Sequence, residues 1–322
     1  MLFLKEKIKI FLIIVSLFFS MMSLLILAGG LGSRYNGMKQ IDTLNENDET
    51  LMEFALYDAL HLGIRKFVFI INSHFPESYQ KKLNKLLTQN GAQSYFVLQT
   101  IDSYIPEIKK SLLTHRTKPL GTAHAVYCAK EIIKEPFITM NADDFYGRQS
   151  FKMAINYILQ ERISDRNWAC IAFLLKNTLS NNGGVSRGEC LIMNSRLKEV
   201  NELTQIQYYD GQLKGKNVKN KWQELSEDLY VSMNLWVLHP SIFQFISNEL
   251  EFFLNNIEDS LSSEIYLPSV IDQAIKNSHV QVDVIPSKEQ WQGLTYQEDK
   301  EKVKTFINRL KVEGDYPTKL WV

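Results

Sequence analysis

The sequence has no excess of either charge: Lys+Arg and Asp+Glu both number 36 in 322 residues. No global field draws the chain to nucleic acid or a membrane surface, so any phosphate recognition has to be local. Cysteine is scarce. Cys128, Cys170 and Cys190 are an odd number without metal-type spacing, and reduced thiols in a cytoplasmic protein are the economical reading. There is no internal repeat and no low-complexity linker, which suits two halves sharing one continuous sheet system.

A membrane-spanning run is missing as well. "MLFLKEKIKIFLIIVSLFFSMM" opens with lysines and turns apolar, like a signal peptide or anchor. Yet Ile10 to Met22 is 13 residues, where spanning takes about 20. Lengthening the run, or cleaving after "ILA", would consume the strand that carries the best motif in the chain. Residues 1–21 are therefore read as an extension, from a misassigned start or a short membrane-associating tail, with secretion the weakest option. Residues 22–322 are expected to form the working domain, with 22–150 and 151–322 as its two halves.

What is present is a strand–helix alternation long enough to bury a full core. "SLLI", "KFVFIIN" and "SYFVLQT" read as strands and "PFITMNADDFYG" as a strand running into an acidic turn, while "ETLMEFALYDALHLGIRK", "PESYQKKLNKLLTQNGA", ended by Gly91, and "GTAHAVYCAKEII" read as helices. The expected fold is α/β: a Rossmann-like mixed, mostly parallel sheet with helices on both faces. In the second half "WACIAFLL", "GECLIMN", "LYVSMNLWVLH" and "VQVDVIP" suggest strands, "SIFQFISNELEFFLNNI" and "EIYLPSVIDQAIK" helices. The lysine-rich "YYDGQLKGKNVKNKWQELSED" suggests an exposed loop or hairpin. Ligands of such sheets bind at the carboxyl ends of strands, where "LAGG", "VLQ" and "NADD" all lie.

"LAGGLGSRYNGMKQ", residues 27–40, holds four glycines, one arginine and one lysine. Glycine lets backbone N–H groups approach a phosphate, and Arg34 and Lys39 supply cations. A plain turn explains Gly29 and Gly30 but not both cations. The spacing is neither that of a P-loop nor that of a dinucleotide fingerprint. Downstream, Asp143 and Asp144 follow "FITM" directly. Paired hard oxygen ligands at a strand end suit Mg²⁺ bridging a polyphosphate, whereas a capping acid explains only one of them. The histidines form no triad or ligand set; His124 reads as a positioning residue and the other five as structural.

The glycine loop resembles the L-A-G-G-x-G-x-R…K-Q signature of the sugar-phosphate nucleotidyltransferases that make nucleotide sugars. "KPLGTAHAV" is similar to their base-contacting segment and "NADDFYG" to their metal-binding turn. "VSMNLW", "EIYLPSVIDQAI" and "WQGLTYQEDK" resemble the sugar side of a less-studied branch, so the likeness runs over residues 22 to 322. It implies transfer of a nucleotidyl group from an NTP, a pyrimidine one by preference, to a sugar 1-phosphate, with Mg²⁺ and release of pyrophosphate. Phosphocholine or a polyol phosphate is an alternative acceptor, and a degenerate nucleotide-binding protein an alternative class.

By the same resemblance Leu27, Ala28, Gly29, Gly30 and Gly32 line the nucleotide, and Arg34 holds the β and γ phosphates. Lys39 neutralises charge at the reacting phosphates, Gln99, Gly121 and Thr122 surround the base, and Asp143 and Asp144 hold the metal. Gly184, Arg187, Glu202 and Asn234 fall on the sugar-phosphate side. Two departures stand out. Leu203 occupies the place of a phosphate-holding cation, and Gly293 that of a second metal-binding aspartate. On this reading Gly293→Asp would restore a ligand, and Gly121→Val would fill the space for the base.

Overall fold

Residues 22–30, 39–257 and 259–321 are described by a computed structural model. The extension 1–21, Gly32 and Arg34 lie outside the described residues.

Ser23–Leu27 (β1) and Lys66–Ile71 (β2) are apolar almost throughout because both faces of their sheet are covered. Leu24, Ile26, Phe67 and Phe69 point into one core, and Leu25, Val68 and Ile70 into another on the opposite face. β2 pairs parallel with Gln93–Leu98 (β3), and β1 with Phe137–Asn141 (β4). Their carboxyl ends therefore open on one edge, and Gly29, Gln99 and Asp143 follow there directly.

The turn after β4 forms Asp144–Phe145 (β5), and the second half continues the sheet. Its strands are Asn167–Leu174 (β6), Val185–Met193 (β7), Arg196–Tyr209 (β8), Gln212–Lys216 (β9), Trp222–Glu224 (β10), Tyr230–Leu238 (β11) and Gln281–Pro286 (β12). Their order across one eleven-stranded sheet is β10-β9-β8-β12-β6-β11-β4-β1-β2-β3, with β7 bridging β11 and β8. Pairing is parallel among the first four strands and between β12 and β6. It is antiparallel elsewhere. The short strand Gln292–Gly293 (β13) pairs with β5 and sets Gly293 against Asp144.

The lysine-rich stretch is a hairpin. Asp210 and Gly211, both at positive φ (48° and 78°), turn β8 into β9, as an Asp-Gly two-residue turn requires. Among the elements that go beyond the pattern read from the sequence are the 14-residue β8 and the helices Arg148–Leu159 and Asp299–Val312. The last helix buries Val303, Phe306 and Ile307 on one stripe and carries acids at its start and bases at its end, in line with its dipole.

The chain after that helix is strapped onto the helix Leu51–His61. Glu49 accepts from Leu320 N at 2.6 Å, and Glu53 from Trp321 Nε1 at 3.1 Å. Asp58 accepts from Tyr316 OH at 2.5 Å and Arg148 Nε at 2.8 Å. Among the described residues no helix is long and apolar enough to cross a membrane.

Candidate active site

Two cavities adjoin at the carboxyl edge of β1, β3 and β4. One, of about 380 Å³, is lined by Leu27, Gly29, Gly30, Gln99, Gly121 and Ala125. The other, of about 290 Å³, is lined by Arg187, Glu202, Asn234, Tyr266, Trp291 and Asp144. Lys39, Thr122, Asn141 and Asp143 belong to both. The division at residue 150 is not respected here. Glu264 and Lys118, an ion pair from opposite halves, both wall the first cavity.

The glycine loop begins where β1 ends. Asn72 Nδ2 donates to Gly29 O at 3.1 Å and Gln40 Nε2 to Gly30 O at 2.8 Å. Both side chains are buried, so these carbonyls are tied back into the protein. Ala28 lies elsewhere than expected: its N–H extends the pairing to Ile70 O and its side chain is in the core.

Gly121 sits at φ +101°, a conformation L side chains avoid. A Cβ there would stand 2.5 Å from Ile265 O and 2.9 Å from Ile265 N. Its constraint is thus the chain 144 residues on, not the space for a base. Residues 264–266 run beside it, with Ile265 N donating to Leu120 O and Ala123 N to Ile265 O. Thr122 Oγ1 accepts from Leu267 N at 2.9 Å and so holds the start of the helix Leu267–Lys276.

At the junction Lys39 forms an ion pair with Asp143. Asp144 is buried; its Oδ2 accepts from Asn141 Nδ2 at 2.8 Å and Tyr146 OH at 3.1 Å. Burial first, and then the neighbouring Asp143 charge, push its carboxyl up to about 7. Among the described residues no three His, Cys, Asp or Glu side chains converge as a metal cage. Mg²⁺ does not need one, since it is commonly held by one or two carboxylates together with substrate phosphates. Two adjacent carboxylates, one of them buried and opposed in its ionisation by burial and by its neighbour's charge, are a donor set that a divalent cation fits.

On the sugar side a β-bulge in β11 puts Asn234 at φ +60°, which asparagine tolerates better than most residues. It turns the side chain to the cavity, where Nδ2 donates to Asn141 Oδ1 at 3.2 Å. Arg187 and Glu202 come from adjoining positions of β7 and β8, with Gly188 opposite Glu202. Arg187 donates to Thr178 O at 2.5 Å and Ser186 O at 2.7 Å and lies over the Trp291 ring at 4.8 Å. Burial raises the Glu202 carboxyl above its ordinary range, against the pull of Arg187.

Leu203, next along the strand, faces the opposite way and is fully buried in the core. Gly184 also lies outside both cavities. A Cβ there would meet Gln205 Cα at 3.0 Å, and its carbonyl accepts from Tyr296 OH at 2.8 Å. Sequence reasoning missed Asn141, Ser186, Tyr266 and Trp291. Asn141, Tyr266 and Trp291 stand inside the motifs "NADDFYG", "EIYLPSVIDQAI" and "WQGLTYQEDK", so position in the motif was the available signal.

A family model described as "Nucleotidyl transferase" matches residues 23–188. No curated protein matches the chain. Among solved structures, an inositol-1-phosphate CTP transferase from T. maritima is similar at 14% identity and a TM-score of 0.59, over 90% of this chain and 96% of that one. A Bacillus anthracis structure assigned as a glucose-1-phosphate thymidylyltransferase, in complex with a sucrose, is similar at 11% identity and a TM-score of 0.57, over 88% of this chain and 94% of that one. Such identities show a shared fold. The family match covers just over half the sequence, including the cavity-lining ends of β1, β3 and β4, and by it the chain belongs to the nucleotidyl transferase family and is a nucleotidyltransferase.

Proposed function

We propose that the protein joins an NTP to a sugar 1-phosphate, giving an NDP-sugar and pyrophosphate. The observation that carries this is the pair of adjoining cavities with Lys39 and Asp143 at their boundary. An α-phosphorus placed there has the nucleotide on one side and an acceptor phosphate on the other. The printed names of the two similar structures, which pair a nucleotide with a phosphorylated polyol or sugar, support the acceptor class.

In the reaction an acceptor phosphate oxygen attacks the α-phosphorus in line, and the bond to pyrophosphate breaks. The attacking oxygen is already anionic, so no general base is required. Positioning and charge neutralisation supply the rate. Leu27, Gly29, Gly30, Gln99, Gly121 and Thr122 hold the nucleotide. Lys39 places its charge beside the reacting phosphates, with Gly32 and Arg34 assigned to the same loop by motif. Asp143, backed by Asp144, would hold Mg²⁺, whose bound charge offsets that of the polyphosphate. Arg187, Glu202 and Asn234 bind the acceptor. An NTP-consuming site and three buried free cysteines suit a cytoplasmic protein.

The test is pyrophosphate release from a matrix of UTP, dTTP, CTP, GTP and ATP against sugar 1-phosphates, polyol phosphates and phosphocholine. Release with a sugar 1-phosphate and one or two NTPs is expected. Turnover confined to phosphocholine or a polyol phosphate replaces the acceptor. Nucleotide binding without release from any pair replaces the enzyme with a binding protein.

A further inference from the structure

We propose that His124 is a positioning residue that fixes the direction of the Gln99 amide. The nucleotide cavity then presents an acceptor, Gln99 Oε1, and takes a base that offers an N–H to it. The ligand half of this inference rests on the nucleotide reading above; the amide's direction is argued from the protein alone.

The chain of reasoning starts at two carbonyls, which can only accept. Ser103 O lies 2.7 Å from His124 Nε2, so Nε2 carries a proton. His124 is fully buried, and burial lowers its pKa against the opposing pull of the Ser103 hydrogen bond and of Asp102, with Arg116 acting alongside burial. The ring is therefore neutral, and a neutral ring protonated on Nε2 has a bare Nδ1. Gln99 Nε2 lies 3.1 Å from that Nδ1 and 3.3 Å from Gly121 O. Both amide protons thus go to atoms that cannot donate. Reversing the amide would set its oxygen against two acceptors at once, and the buried contacts would become repulsive.

Oε1 is left on the other side. It stands 3.2 Å from where a Cβ on Gly29 would be, and no described residue donates to it. Gln99, Gly29 and Gly121 all line the first cavity. A side chain on Gly29 would cover the oxygen, so the glycine keeps it open. An acceptor held this rigidly accepts from an imino N–H such as that of uracil or thymine, or from an exocyclic amino group. It repels a lone pair presented in the same place.

Two pairs of variants test this. Gln99→Leu keeps the volume and removes the acceptor, while Gln99→Glu keeps an oxygen toward the cavity but sets a second one against Gly121 O and His124 Nδ1. His124→Asn retains an acceptor near the Nδ1 position, while His124→Leu does not. Affinities for UTP, dTTP, CTP, GTP and ATP are measured by titration calorimetry. For the nucleotide the parent binds best, Gln99→Leu is expected to lose about tenfold or more, and Gln99→Glu, whose second oxygen meets Gly121 O and His124 Nδ1, to lose at least as much. His124→Leu is expected to flatten the preference among the five, and His124→Asn to keep it. Parent-like affinity in Gln99→Leu overturns the acceptor, and parent-like affinity in Gln99→Glu overturns the direction of the amide. An unchanged preference in His124→Leu reduces the histidine to packing. Independently, ¹⁵N NMR of the parent, with His124 assigned from its Asn variant, should show a ring protonated on Nε2 alone; a proton on Nδ1 overturns the proposal whatever binds. If none of the five nucleotides binds the parent, the ligand half falls together with the functional reading, and the NMR result still decides the amide.

Discussion

The indole of Trp291 fills the space that a side chain at Gly293 would need. A Cβ on Gly293 would lie 2.2 Å from Trp291 Cζ2 and 2.8 Å from Asp144 Oδ1. Arg187 lies over the same ring, so the tryptophan is held between the second cavity and the Asp143–Asp144 turn. The carboxylate that the resemblance leads one to expect at this position has no room here, because an aromatic wall takes its volume.

That corrects the expectation for Gly293→Asp. The substitution must displace a buried indole, and overpacking of this kind costs about 1–3 kcal/mol. The melting temperature should fall by several degrees, and the Mg²⁺ concentration for half-maximal rate should not fall. Thermal unfolding beside a Mg²⁺ titration decides it. An intact melting temperature with a lowered Mg²⁺ requirement would show that the aspartate fits after all.

Gly121→Val likewise acts on the protein before it acts on the ligand. The positive φ is strained for valine by about 1–3 kcal/mol, and the Cβ strikes the Ile265 backbone. Undocking of residues 264–266 should appear as faster amide exchange at Ile265 and Ala123, whose N–H groups make the pairing. It should be present without nucleotide. If exchange there is unchanged and only nucleotide affinity drops, Gly121 matters for the base space alone.

The contrast between these glycines shows what the sequence could convey. Lys39, Asp143 and the loop glycines announced themselves because their chemistry is concentrated in short stretches next to uniformly apolar strands. The parallel half of the sheet was legible for the same reason: β1 and β2 are buried on both faces and read as unbroken apolar runs. β8 was not, since its exposed and buried positions alternate irregularly around a bulge. Half of the helix Asp299–Val312 is charged, and its apolar stripe is thin. Gly121 against Ile265 and Gly293 against Trp291 could not be read at all. Each depends on which piece of chain the fold lays beside the glycine.

Asp58 gives the fold a pH signature. Burial raises its carboxyl from the ordinary 3.8 to about 6, in spite of Tyr316 and Arg148. Between pH 4 and 6 the folded chain holds a proton that the unfolded chain has released, so this group's contribution to stability declines as pH rises through about 6. Asparagine cannot ionise and shows no such decline. Asp58→Asn should be destabilised by loss of its contacts with Arg148 and Tyr316. Its deficit relative to the parent should shrink by about 3 kcal/mol from pH 4 to pH 7. Urea unfolding of both proteins across that range measures the difference. A deficit that stays constant or widens would mean that Asp58 is ionised throughout.

The Lys39–Asp143 ion pair, with side chains 21% and 17% exposed, poses the last question: does it hold the structure or serve the reaction? A partly exposed pair contributes little to stability, about 1 kcal/mol or less. Lys39→Ala should therefore fold normally and bind nucleotide, while its turnover falls at least about a hundredfold, the scale for losing a preorganised charge at a reacting centre. Asp143→Asn should behave in the same way. The discriminating variant reverses the pair, Lys39→Asp with Asp143→Lys. Its electrostatic attraction survives, but an anion now stands where the polyphosphate needs a cation, and a cation where Mg²⁺ needs a carboxylate. If the pair is structural, the reversal should recover most of the activity that the single variants lose. If the charges act on the reacting phosphates, it should stay as inactive as either single variant at an unchanged melting temperature. The second outcome is the one expected, read from pyrophosphate release beside thermal unfolding.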